Sequence, residues 1–259
     1  MTQPDSNSTT RRTVRSIALA GITLAGLIAA AELYPPRTAL AASSPATATA
    51  ATAARPAAAE ELLIGTLDVE LKRAMSSLGS DGAAAAQQPK PYFLSYAVDD
   101  ATAVSIGAQY GAITNSSESR RRSVDVQVRL GSPVEDNTHG DHRNSALTTM
   151  PLPLTDDHDA IARSLWYATN RGYARALDGF LKVKTEQQVR AKEEDSSPDF
   201  SAEHPQTDIL PAAPALLVDR KPWEQRLREI SGLFAQFPDI FYDTVGMQAQ
   251  NETDYFVSS

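Results

Sequence analysis

Val124, Val126, Val128 and Leu130 alternate with Asp125, Gln127 and Arg129 without a break. A period of two over this stretch puts each apolar side chain on one face of an extended strand and each polar one on the other. A strand with one dry and one wet face belongs in an antiparallel sheet covered on one side. Two more strands are expected before it, Tyr92 to Val98 and Ala103 to Tyr110, with Val104, Ile106 and Ala108 sharing a face in the second. Asp99-Asp100 reads as the turn between them, and Thr114 to Arg122 as a long polar connection to the third.

Helices supply the cover. Leu63, Leu67, Leu71, Met75 and Leu78 recur every three or four residues, which sets them along one helical face, and Gly79 marks the stop. A second helix is expected from Thr155 as cap, with Asp156, Asp157 and Asp159 in its first turn and Ile161, Leu165, Tyr173, Leu177 and Phe180 along its buried stripe. Gly172 and Gly179 inside it imply close packing against the sheet, since each costs about 1 kcal/mol against Ala. Between strands and helix, residues 132–154 lack periodicity and read as a long loop. A third helix starts around Pro222 and carries Trp223, Leu227, Ile230, Leu233 and Phe234 to a stop at Pro238. Residues 239–247 and 253–257 come next as two strands joined around Asn251-Glu252. The sequence closes on Phe256-Val257-Ser258-Ser259 within an expected strand, which reads as a truncation. The fold class is α+β, in two layers: an antiparallel sheet covered on one side by helices, with the start of a second β-rich region.

The front of the chain differs in composition. Arg11, Arg12 and Arg15 precede an apolar run from Ile17 to Ala31, and Ala39-Leu40-Ala41 offers small residues for cleavage. This pattern predicts a signal peptide over 1–41 and an exported, periplasmic or extracellular protein; an uncleaved anchor is the other reading. The paired arginines hint at a twin-arginine route, without the usual Phe and Lys that would strengthen it. An Ala/Thr/Pro-rich linker occupies 42–59, then an N-terminal α/β domain 60–194, a linker 195–214, and the start of a second region 215–259. With a signal peptide removed, no stable membrane span is expected.

Charge and composition narrow the chemistry. The 259 residues carry a formal net charge of −8, which gives a nucleic-acid backbone nothing to bind. With no cysteine there are no disulfides, thiolate metal sites or Cys nucleophiles. His139-Gly140-Asp141-His142 is the one concentrated set of potential ligands, but its spacing does not put two imidazoles on one helical face, and a solvated loop explains it better than a metal site. Arg120-Arg121-Arg122 reads as a solvated hairpin edge rather than an anion site. His158 and His204 stand alone, Glu193-Glu194 faces water, and of Trp166 and Tyr167 core packing accounts for one while the other is free to line a groove. There is no nucleophile elbow, phosphate loop or dinucleotide-binding turn. No catalytic, cofactor-binding or metal-binding residue is assigned.

Several segments in order resemble the N-terminal part of the TldD/PmbA family of metallopeptidase-like proteins. They are the helix Leu67-Asp68-Val69-Glu70-Leu71-Lys72-Arg73-Ala74-Met75, then Tyr92-Phe93-Leu94-Ser95-Tyr96, and the stretch from Ser105-Ile106-Gly107-Ala108-Gln109-Tyr110-Gly111 to Val124 through Gly131. Asp136-Asn137-Thr138-His139 and the helix from Ser164 to Tyr173 complete the likeness over about residues 62–205, and 222–259 is similar to the start of the family's next region. The resemblance implies an N-terminal domain that helps form a peptide-accommodating cleft in a homo- or hetero-oligomer. It also implies zinc for the full-length family, held by a His-Glu-x-x-x-His helix on the C-terminal side. This sequence has no His-Glu pair, so the chain is expected to be inactive alone and no ligand carries over to it. The alternative is a stand-alone module that binds a peptide or partner without catalysis.

Overall fold

The computed structural model describes residues 9–13, 21–26, 57–80, 87–140, 147–187, 197–201, 204, 206–209 and 215–259. The apolar run from Ile17 to Ala31 lies outside these apart from 21–26, and so do Ala39-Leu40-Ala41, Glu193-Glu194, Asp141 and His142.

In chain order the elements are β1 (Thr9–Thr13), β2 (Gly21–Gly26), α1 (Ala57–Ser77), β3 (Pro91–Gln109), β4 (Ala112–Leu130), β5 (Leu147–Pro151), α2 (His158–Gln187), β6 (Asp208–Ile209), α3 (Arg220–Gly232) and β7 (Asp243–Ser258). The body of the sheet is antiparallel, in the order β5-β4-β3-β7. The backbones of β1 and β2 pair along the outer edge of β7, and β6 pairs with β1. The α+β class with helices on an antiparallel sheet is the observed architecture.

The two expected strands before Gln109 are one. Asp99-Asp100 is not a turn but the middle of β3, and 114–122 is not a connection but the first half of β4. The reason is across the ladder: Asp100 lies opposite Arg122, Ala101 opposite Arg121 and Thr102 opposite Arg120. Carboxylates that look like turn residues in one segment are neutralised by arginines of another. The actual reversal is the two-residue turn Tyr110-Gly111, where Gln109 pairs with Ala112. Both residues have positive φ, 47° and 81°, the geometry that matches the twist of the flanking strands. Asp243 holds the turn by accepting from the Tyr110 amide at 3.0 Å, and Ser231 Oγ accepts from the Gly111 amide at 3.0 Å.

Two other expectations are corrected. Residues 243–258 form one strand rather than two, because β3 pairs with it continuously from Ser95 to Ala108. The segment 132–154 is not wholly loop: Leu147–Pro151 pairs with Ser123–Gln127 of β4. At the start of α2 the cap is Asp157, whose carboxylate accepts from the Ala160 amide at 2.9 Å, not Thr155.

All three helices lie on one face of the sheet. In β3 the buried residues Leu94, Tyr96 and Val98 share parity with Val104, Ile106 and Ala108; in β7 Tyr255 and Val257 share parity with Val245 and Met247. The first sets join Val124, Val126, Val128 and Leu130 under Leu63, Leu67 and Leu71 of α1 and Ile161 and Leu165 of α2. The second sets form a smaller core with Leu227 of α3, flanked by Trp223, Ile230 and Phe234. The long strands thus carry two cores end to end. β7, from the 215–259 region, lies directly beside β3, so this region extends the same sheet. Among the described residues no helix is long and apolar enough to cross a membrane.

Candidate functional site

Two polar centres are built on this frame. The first sits on the helix side between the two cores. Arg122, with no solvent exposure, donates through Nε and Nη2 to Asp100 at 2.9 and 2.8 Å, through Nη2 to Asp156 at 2.8 Å, and through Nη1 to the Pro153 carbonyl at 2.9 Å. Arg120 adds two bonds to Asp100 and one to the Leu154 carbonyl. Burial works against the Asp100 charge, but the hydrogen bonds from Arg120 and Arg122 prevail and hold its carboxyl below the ordinary range. The basic run is therefore a solvated hairpin edge only at Arg120 and Arg121, which are exposed, while Arg122 is buried. Arg121 lies on the opposite face of the sheet, paired with Asp99 at 2.8 Å. The cause is parity: Arg120 and Arg122 point to the helix side and Arg121 to the other. Every guanidinium nitrogen of Arg120 and Arg122 has a protein acceptor, so this centre ties the hairpin to the approach of α2.

The second centre lies where β3 begins and β4 ends. Beyond Gly131 the chain turns back, and Asn137 continues the edge of β4: its Oδ1 accepts from the Leu130 amide at 2.7 Å and its Nδ2 donates to the Val128 carbonyl at 3.3 Å. This places the Asp136 carboxylate in full burial among four donors. Thr138 gives its amide (2.7 Å) and hydroxyl (2.6 Å), Tyr92 its hydroxyl (2.7 Å), and Arg129 its Nη1 (2.5 Å). Burial opposes the charge of Asp136, yet these bonds hold its pKa down. The partner Tyr92 is pushed up, first by burial and then by the bond to Asp136.

Onto this frame folds a short piece of the segment between α2 and α3. Asp199, its side chain 1% exposed, accepts from His139 Nδ1 at 2.9 Å and from the Asp136 amide at 2.9 Å. Phe200 donates its amide to the Pro133 carbonyl at 3.0 Å. Its ring lies 4.7 Å from that of Phe93 and edge-on to Tyr92 at 6.0 Å, with the Arg129 guanidinium 4.8 Å from its centroid.

His139 thus faces carboxylates: Asp199, and Glu135 with Nε2 at 3.9 Å. Asp141 and His142 lie outside the described residues. Among the described residues no three His, Cys, Asp or Glu side chains group as a metal site. The zinc implied by the resemblance finds no fitting donor set there, and no chemical step runs through it. His158 is exposed beside Asp159, and His204 is exposed. Trp166 and Tyr167 are both outside the core, 51% and 49% exposed, because the buried positions of α2 on either side of them are Ile161, Leu165, Ala168 and Thr169. Core packing therefore claims neither, which corrects the expectation that it claims one.

The Asp199-Phe200 contact could not be read from the sequence. Its partners lie some 60 to 100 positions away, and neither residue belongs to a periodic element.

The opposite face of the sheet is the third feature. Phe93, Ala97 and Asp99 of β3, Asp125, Gln127 and Arg129 of β4, and Gln250, Glu252 and Phe256 of β7 project there, half-buried. Among the described residues no helix packs on it. Burial, then the Glu252 charge, push the Asp99 carboxyl up, while Arg121 works the other way.

No family model matches this chain, and no curated protein matches it significantly.

Proposed function

We propose that the chain is the cleft-forming N-terminal part of an exported TldD/PmbA-like zinc metallopeptidase, inactive alone, whose catalytic His-Glu-x-x-x-His helix comes from outside residues 1–259. The observation that carries this reading is the face of the β5-β4-β3-β7 sheet on which no helix among the described residues packs. Its long parallel rows of polar side chains suit an extended peptide laid along the strands. The ordered sequence likeness supports the family assignment. A homo- or hetero-oligomer with a related subunit belongs to the same reading.

The experiment is to read the coding DNA beyond codon 259 in the source organism. A frame that runs on into a His-Glu-x-x-x-His helix supports the proposal. A stop after Ser259 with a protein that accumulates sinks it in favour of a stand-alone peptide- or partner-binding module. That second reading draws on the outer edge of β7, along which the backbones of β1 and β2 already pair.

A further inference from the structure

We propose that the slot formed by Tyr92, Phe93, Arg129 and His139 is a binding site for a short linear peptide bearing a carboxylate followed by an aromatic ring, and that Asp199-Phe200 of this chain occupies it in cis. The inference deepens the peptide-accommodating reading by naming a ligand class.

The loop backbone that carries the recognising groups is bonded independently of the occupant. Asp136 is satisfied by Thr138, Tyr92 and Arg129, and Asn137 is bonded to Leu130 and Val128, so the loop 131–140 is fixed on β4 by its own contacts. The frame then offers three things. His139 Nδ1 and the Asp136 amide converge on one carboxylate. The Pro133 carbonyl accepts one backbone N–H. The rings of Phe93 and Tyr92 and the Arg129 guanidinium enclose one aromatic side chain.

Asp199 and Phe200 take up all three of these offers. Ser197 and Pro198 before it and Ser201 after it are exposed. Adjacent side chains and a backbone bond seated between exposed neighbours are how a short linear peptide motif binds a groove, with charge-assisted and cation–π contacts supplying the selectivity.

The test uses the full chain with Asp199→Ala and Phe200→Ala together, and a capped peptide of sequence Ser-Pro-Asp-Phe-Ser as probe, read by NMR titration. The double variant should stay folded by circular dichroism and bind the peptide, while the unaltered chain, its slot filled, binds about tenfold or more weakly. Replacing Asp by Asn or Phe by Ala in the peptide, or adding His139→Gln to the variant, should weaken binding by a similar factor. Three outcomes overturn the proposal: a folded double variant that does not bind the peptide, equal binding by both chains, or a double variant that fails to fold, which would make Asp199-Phe200 a fixed part of the core. None of these bears on what lies beyond codon 259, so this proposal and the metallopeptidase reading fail separately.

Discussion

Arg122 is among the largest side chains wholly buried among the described residues, and its charge is matched there by Asp100 and Asp156. Removing one partner of such a group leaves the other charge buried and unpaired, which costs about 3–5 kcal/mol. Arg122→Ala should destabilise the chain by up to that order in urea unfolding at neutral pH, since Arg120 still pairs with Asp100. The pH dependence fixes the sign. Asp100 has a folded pKa below its ordinary 3.8, so its contribution is present above that value and is lost as pH falls through the lower folded one. The gap between Arg122→Ala and the unaltered chain should therefore narrow below pH 3.8 as Asp100 takes up its proton. A gap that stays constant down to the acid transition would show that Arg122 acts by packing alone.

At the scale of elements, the glycines of the helices separate propensity from packing. Gly65 in α1 has open space where a Cβ would go, whereas at Gly179 in α2 a Cβ would stand 2.8 Å from the Asn137 carbonyl oxygen. Helix propensity alone favours Ala at both by about 1 kcal/mol. Gly65→Ala should raise the thermal midpoint. Gly179→Ala should lower it, because the helix must lift off the loop that carries the Asp136 centre. Equal and positive shifts at both sites would mean that α2 does not press on this loop as described. The need for glycine in α2 is visible in the sequence as a cost without a reason; the reason is a backbone oxygen more than forty positions away.

The whole molecule has two unequal cores on one face of shared strands. The core under α1 and α2 is the larger, and that under α3 depends on Leu227, Val104, Ile106, Ala108, Val245 and Met247. Cooperative units with fewer buried contacts open at lower free energy. Leu227→Ala should cost about 2–5 kcal/mol locally. Amide exchange should show protection lost first in α3 and in the ends of β3 and β7 at 104–108 and 245–249, with α2 unaffected. Simultaneous loss of protection in α2 would show that the shared strands couple the cores into one cooperative unit.

Which face the apolar residues of β4 and α1 take was already written in the local sequence. Alternation in β4 and the three-to-four spacing of Leu63, Leu67 and Leu71 depend only on backbone period, and a period is legible in any short window. The close packing expected of Gly172 and Gly179 was legible for the same reason, since the cost of glycine in a helix is local. Where the strands end was settled instead by pairing in three dimensions. Asp99-Asp100 and Arg120-Arg121-Arg122 have turn-like composition taken singly, and they become strand interior only when paired with each other across the ladder. The Asp199-Phe200 contact likewise exists only because the fold brings the segment after α2 back to the start of β3. Such contacts are set by distance in space, for which a sequence window holds no coordinate.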